Sequence, residues 1–220
     1  METIIAHRDP RSPAAEAYRM LRTNLQFSSP DKPLQSLVVT SSTPSEGKST
    51  TAINLAVTFA QTDSKVLLVD ADMRKPTVHK VLGLNNSRGL SNVIVGESEI
   101  HDAVQACWVD NLSVITSGPI PPNPAELLNS KRARQIFAKL EEYYDMVIID
   151  APPVAATSDS MILSSMASGV LLVVSYGQVA KDLAKGVVDQ LNKVKANVLG
   201  VVMNRVPGKN SGYYYYDYSS

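Results

Sequence analysis

Apolar residues along this chain follow two rhythms. One is a set of short, nearly unbroken runs rich in β-branched residues: Ser36-Leu-Val-Val-Thr40, Val66-Leu-Leu-Val69, Leu112-Ser-Val-Ile-Thr116, Met146-Val-Ile-Ile149, Val170 to Val174 and Val198 to Met203. The other is helical spacing. Ala15, Tyr18, Leu21 and Leu25 fall on one face of residues 14–27. Ala52, Leu55, Ala56 and Phe59 do so in the segment from Lys48 to Gln61, and Leu183, Val187, Val188, Leu191 and Val194 in the segment from Ala180 to Val194. A further helix is predicted near 130–142, and the first 13 residues read as loose. Strands apolar on both faces, separated by helices, predict an α/β fold with a doubly wound, mostly parallel sheet covered on both sides. Ligands of such sheets bind at the carboxyl ends of the strands. Asp70, Asp72 and Asp150 stand there.

Composition narrows the picture. With 220 residues, 44% of them apolar and 19% charged, the chain is an ordinary globular one rather than a disordered one. At this length it buries roughly 70% of its unfolded surface, so it needs no disulfide or structural metal. The single cysteine, Cys107, excludes an internal disulfide framework and a multi-cysteine zinc site. Lys+Arg and Asp+Glu are both 21, so bulk charge offers no attraction to nucleic acid or anionic lipid. The longest apolar runs are about a third of the ~20 residues a spanning helix needs, and Met1 to Pro13 lacks an apolar signal core. A reduced, cytoplasmic compartment fits, with membrane attachment coming through a partner.

Ser42-Thr-Pro-Ser-Glu-Gly47-Lys48-Ser49-Thr50 lies between a predicted strand and a predicted helix. It matches the phosphate-binding pattern G-x-x-x-x-G-K-[ST], except that Ser42 replaces the first glycine. Ser45, Glu46, Gly47, Lys48, Ser49 and Thr50 form the expected nucleotide-binding segment. The helix N-terminus offers N–H groups and a positive dipole end to phosphate, Lys48 a point charge, and Ser49 a hydroxyl for Mg²⁺. Asp150 closes an apolar strand, the usual place of a second acidic element. Asp70 and Asp72, two apart in extended backbone, point to one side, where two acids are costly without a cation.

Val-Leu-Leu-Val-Asp70-Ala-Asp72-Met-Arg74-Lys-Pro76-Thr resembles the extra acidic motif, Walker A′, of bacterial tyrosine kinases. Ser117-Gly-Pro-Ile-Pro-Pro-Asn-Pro-Ala-Glu-Leu-Leu128, the Walker B-like Ile149-Asp-Ala-Pro-Pro153 and a C-terminal tyrosine cluster resemble the same family, in its order, over essentially the whole chain. The likeness is to the stand-alone form of Gram-positive bacteria, which serves capsule and exopolysaccharide production. It implies a P-loop NTPase fold and an ATP- and Mg²⁺-dependent protein-tyrosine kinase. Lys48 and Ser49 hold phosphates and metal, Asp70 and Asp150 organise the metal shell, and Asp72 or Asp70 is the base for a phenol of pKa ≈ 10. Asn204, with Arg205, either meets the adenine or is a turn residue before Pro207.

The kinase domain is placed at 1–206 and a flexible tail at 207–220. Tyr213, Tyr214, Tyr215, Tyr216 and Tyr218 are the expected autophosphorylation sites, modified in trans by a neighbouring subunit. Glu16, Arg19 and Arg22 form a charged stripe on the first helix, which by itself reads as a solvated face. The family uses E-x-x-R-x-x-R there to assemble a ring, so the resemblance implies a homo-oligomer, an octamer. It also implies a membrane activator protein with a cytoplasmic segment, protein-tyrosine substrates, a cognate phosphatase, and recruitment to the inner face of the membrane. The alternative is a non-kinase ATPase switch of the partition and division-site type. Those proteins carry a second lysine early in the loop, where this chain has Thr43, and lack a tyrosine tail. A catalytically silent, ATP-binding copolymerase is a third reading, opposed by Lys48 and the three aspartates. His7, His79 and His101 share no ligand spacing, and Arg132 and Arg134 read as a solvated helix face.

Overall fold

The unbroken apolar runs become the centre of a seven-stranded sheet in a computed structural model that describes residues 4–28 and 33–207. In chain order these elements are α1 (Ile5–Arg8), α2 (Pro13–Phe27), β1 (Ser36–Ser41), α3 (Lys48–Ala60), β2 (Val66–Asp70) and α4 (Val78–Leu82). Next come α5 (Leu90–Val95), α6 (Ile100–Ala103), β3 (Val104–Ala106), β4 (Leu112–Ile115), α7 (Pro124–Leu128) and α8 (Lys131–Tyr143). The last are β5 (Met146–Asp150), α9 (Asp159–Ser164), β6 (Gly169–Ser175), α10 (Lys181–Lys193) and β7 (Val198–Asn204). The strand order is β3-β4-β2-β5-β1-β6-β7, parallel throughout except for the edge pair β3–β4. No described helix is long and apolar enough to cross a membrane.

Alternate residues of each central strand enter opposite cores. Leu37, Val39, Leu68, Ile148 and Val173 pack with α1, α2, α3 and α4 on one face. Val38, Leu67, Val69, Ile149 and Leu172 pack with α5, α7, α8, α9 and α10 on the other. Burying such side chains contributes roughly 1.5–3 kcal/mol each, which is why these strands read as continuous apolar runs. Local signals set the helix starts. Ser12 caps α2 by accepting from Ala15 N at 3.2 Å, with Pro13 in the first turn, and Ser130 caps α8 by accepting from Ala133 N at 3.1 Å.

Several expectations need correction. The first 13 residues are not loose throughout: Ile4 and Ala6 are buried, and Ala6 N donates to Asn54 Oδ1 on α3 at 2.9 Å. A segment this short carries too little periodicity to read as a helix. Leu183 does not point inward. It is 42% exposed, and Val187 and Leu191 alone are buried along α10. Arg132 is not merely solvated, since its Nε donates to the Val93 carbonyl near the end of α5 at 3.2 Å. The antiparallel β3 was not predicted, because three half-exposed residues, Val-Gln-Ala, show no run.

The order places β5 between β1 and β2, with Val39 and Asp70 each opposite Asp150. The chain therefore delivers the loop after β1, the end of β2 and the end of β5 to the same edge of the sheet.

Candidate active site

The loop from Ser42 to Gly47 turns sharply before α3. Ser45 and Gly47 have φ of 67° and 94°, in the left-handed region. Ser42, in the place of a first glycine, has no positive φ and is fully buried, so the departure from the motif costs no backbone strain. Gly47 is required twice over. Its φ is unfavourable for an L residue, and an added Cβ would lie 2.1 Å from Asn204 Nδ2. The amide of Asn204 is committed to this loop. Its Nδ2 donates to the Glu46 carbonyl at 2.9 Å, and its Oδ1 accepts from Arg205 N at 2.9 Å.

Glu46 has a role its sequence position did not reveal. Its carboxylate is buried, accepts from the backbone N–H and the hydroxyl of Thr43, and through Oε2 accepts from Ser175 N at 3.0 Å. The side chain ties the loop to the end of β6. Among the expected nucleotide-binding residues, Ser45, Gly47, Lys48, Ser49, Thr50 and Arg205 line an open cleft of about 490 Å³, while Glu46 and Asn204 brace the loop that forms it.

Lys48 Nζ lies 2.8 Å from Asp72 Oδ2, 3.4 Å from Asp150 Oδ1 and 3.2 Å from the Ser49 hydroxyl. Burial alone would lower its pKa. The charges of Asp150 and Asp72 outweigh that, and the ammonium is held more firmly than usual. Asp70 and Asp150 are wholly buried and do not line the cleft, whereas Asp72 does. Burial, reinforced by the charge of Asp150, pushes the Asp70 carboxyl up to about 8. Burial also raises Asp150, against the pull of Lys48 and the Ser49 hydroxyl.

The two acids at the end of β2 diverge. Asp70 accepts from Asp72 N through Oδ1, and from Thr77 N and Val78 N through Oδ2 at 3.1 Å each. Asp72 accepts from Lys75 N at 3.0 Å through Oδ1. Together they hold the loop from Met73 to Thr77 in place. Arg74 extends from it to Asp159, with Nε to Oδ2 at 2.9 Å and Nη2 to Oδ1 at 3.2 Å. Arg74, Lys75 and Thr77 line the cleft. The sequence alone gives Arg74 and Lys75 no part in the chemistry and does not single out Asp159, whose partner lies 85 positions away.

The donor set fits a divalent cation. One ammonium pairs with two carboxylates, Asp72 and Asp150, with Asp70 buried behind them, and Asp150 Oδ2 is buried without a hydrogen-bond partner. An isolated oxygen of that kind is costly unless a cation or its water reaches it. Among the described residues no three His, Cys, Asp or Glu side chains make a cage of their own. A Mg²⁺ held there would keep most of its waters and lean on phosphate.

The charged stripe of α2 is split. Arg19 pairs with Glu16 on the exposed surface, Nε to Oε2 at 2.7 Å. Arg22 instead donates to the Thr58 carbonyl of α3 at 2.8 Å, and Tyr18 shares a hydrogen bond with Thr51 of the same helix. The tail tyrosines Tyr213, Tyr214, Tyr215, Tyr216 and Tyr218 lie outside the described residues.

Residues 39–202 match the family model described as an AAA domain. The tyrosine-protein kinase YwqD of Bacillus subtilis is 48% identical over 97% of this chain and 90% of its own length. The chain belongs to the bacterial tyrosine-kinase family. A second relative, the putative tyrosine-protein kinase CapB of Staphylococcus aureus, is 39% identical over 97% of this chain and 94% of its own. Among solved structures, the chimerical protein CapA2B2 superposes with a TM-score of 0.90 at 42% identity, covering 94% of this chain and 91% of that one. The P-loop α/β fold expected from the sequence is the fold of this kinase family.

Proposed function

We propose that the chain is an ATP-dependent protein-tyrosine kinase that phosphorylates its own C-terminal tyrosine cluster and other proteins in capsule and exopolysaccharide production. The observation that carries this reading is Lys48 held between Asp72 and Asp150 at the mouth of the α3 N-terminus, in a chain whose relatives are named tyrosine kinases.

The triphosphate lies along the loop from Ser45 to Thr50, where the first N–H groups of α3 face its oxygens. Lys48 neutralises charge on the transferring group. Ser49 and Asp150, with Asp70 behind them, would hold a Mg²⁺, which supplies charge neutralisation at the phosphates. The phenolic oxygen attacks the γ-phosphorus, its bond to the ADP oxygen breaks, and the phenolic proton passes to a carboxylate. Asp72 is the acceptor for that proton. It lines the cleft, while Asp70 is enclosed and, without a cation, keeps its own proton up to about pH 8. Positioning and electrostatic stabilisation carry most of the acceleration.

The tail leaves the end of β7, beside the loop that Asn204 braces, and reaches a neighbouring subunit's cleft rather than its own. A ring built in part through Glu16 and Arg19 supplies that neighbour, and a membrane partner recruits the ring to the inner face of the membrane. A phosphatase reverses the modification. Each added phosphate brings about −1.5 to −2 charge, so crowded tails repel and open the ring.

The test is mass spectrometry of residues 207–220 after incubation with Mg·ATP and an activator's cytoplasmic segment. Phosphate is expected on the tail of the wild type and absent from Lys48→Met and Asp72→Asn. A Lys48→Met chain mixed with an active chain whose tail tyrosines are Phe should be modified in trans. Phosphate on Lys48→Met incubated alone would overturn the reading.

A further inference from the structure

A second cleft, of about 580 Å³, opens beside the first. The two share one wall, the loop carrying Arg74, Lys75 and Thr77, and the second continues past His79 and Lys80 to the proline-rich turn at Ile120. Among the described residues its lining includes two lysines, a histidine and Arg74, whose guanidinium is already paired with Asp159, and no acid, in a chain whose charges balance overall. The nucleotide loop does not reach it. Its far wall is rigid, because Asn86 Oδ1 accepts from Gly118 N at 3.0 Å while its Nδ2 donates to the Gly118 carbonyl at 3.0 Å. His79 Nδ1 is buried there without a hydrogen-bond partner, and Ile120 is 63% exposed at the rim.

We infer that this second cleft is an acceptor subsite, which takes an anionic side chain next to the tyrosine being phosphorylated. The inference rests on the kinase reading above and names the class of acceptor. Two arguments on geometry and charge support it. First, the cleft meets the nucleotide site at Arg74 to Thr77, next to Asp72, and away from Arg205, which lines only the first cleft. A peptide whose phenol reaches Asp72 can therefore lay its neighbouring residues along the second cleft. Second, the shared wall does not yield. Asp70 and Asp72 hold its backbone, and Asp159 holds Arg74, so the point from which Lys75 projects is fixed. The chain itself contains a segment of matching charge. Tyr216-Asp217-Tyr218 places a carboxylate between two tyrosines, and each phosphorylation adds a dianion beside the next target. The subsite then makes successive modification of one tail favourable, since an early phosphate helps hold the segment for the next transfer.

The experiment uses fluorescent peptides of residues 211–220 with Phe at 213, 214 and 215. One keeps Asp217 and carries Tyr218→Phe, the second adds Asp217→Asn, and the third keeps Asp217 with phosphotyrosine at 218. Binding to the full chain with Mg·ADP is read by anisotropy, and phosphorylation of Tyr216 by mass spectrometry after separate incubation with Mg·ATP and the activator's cytoplasmic segment. The Asp217 peptide should bind about threefold more tightly than its Asp217→Asn form, and the phosphopeptide about tenfold more tightly, as expected for partly exposed ion pairs that strengthen with charge. In Lys80→Glu, whose side chain is exposed and absent from the nucleotide cleft, the three should bind alike while Mg·ADP affinity is unchanged. Lys80→Ala should fall between, and added salt should erase the preference. Equal binding of all three by the wild type, or an order that survives Lys80→Glu, overturns the subsite. A preserved order without phosphate transfer leaves the subsite standing and overturns the kinase reading instead.

Discussion

The side-chain amide of Asn204 donates to the carbonyl of Glu46 across 158 positions of sequence, joining the last residue of β7 to the loop that grips phosphate. Removing that strut with Asn204→Ala should weaken nucleotide binding several-fold and cost about 1 kcal/mol of stability. Gly47→Ala should do more, because a left-handed backbone and contact with the same amide both oppose a methyl group. Calorimetric titration with Mg·ADP checks both. The double variant separates the two effects, since Asn204→Ala removes the contact but not the backbone strain.

Glu46 gives a second prediction. Glu46→Ala leaves Thr43 N and Ser175 N without their buried acceptor, and each should carry a desolvation cost of about 1–3 kcal/mol. The expected result is a fall of several degrees in the melting temperature with a raised KM for ATP. Glu46→Gln keeps the acceptor oxygen and should recover part of both. An unchanged melting temperature in Glu46→Ala would contradict the bracing role.

The buried acids make the nucleotide-free chain sensitive to pH. Asp70 titrates at about 8 in the folded chain against an ordinary 3.8, so the folded state keeps a proton that the unfolded state releases. This contribution to stability is fully present below pH 3.8 and is lost as pH rises through about 8. Asp150, also raised, acts in the same direction, whereas Lys48, raised from 10.5, contributes no change over this range. In EDTA the urea midpoint should be higher at pH 6 than at pH 8.5, and Asp70→Asn should flatten that difference. Mg²⁺ should stabilise more at pH 8.5 than at pH 6, because cation and proton compete for the same carboxylates.

The α2 stripe separates assembly from folding. Arg22→Ala should lower the stability of the chain itself by about 1–3 kcal/mol, since Arg22 ties α2 to α3 at Thr58. Glu16→Ala and Arg19→Ala, whose pair is on the exposed surface, should leave the melting temperature within about a degree while shifting the sedimentation profile toward smaller species. Equal loss of stability in all three would place the whole stripe inside the subunit.

The central strands were legible because each is buried on both faces, so its composition is dictated by the core and little else. The loop around Gly47-Lys48-Ser49 was legible because phosphate chemistry dictates its residues. Glu46 and Asn204 were legible only as members of a motif. Their side chains work on partners at Ser175 and on the Glu46 carbonyl, and nothing local in the sequence encodes a partner more than a hundred positions away. Asp159 was invisible because its partner, Arg74, is 85 positions away. Asp70 and Asp72 show the limit most clearly. Alternation predicts that they share a side, yet only Asp72 reaches Lys48, because Asp70 is drawn to the N–H groups of Thr77 and Val78. The Ile5–Arg8 turn was missed because its stability comes from contacts with α3, not from its own four residues.

The insertion of β5 between β1 and β2 has a consequence for biosynthesis. Lys48 and Asp150 are 102 positions apart, so a ribosome that has finished the phosphate loop has made less than half of what that loop requires. Nascent chains stalled before Asp150 emerges hold Lys48 with Asp72 but without its second carboxylate, and a sheet without its middle strand. The phosphate site is therefore completed late in translation, only once β5 is available to lie between β1 and β2.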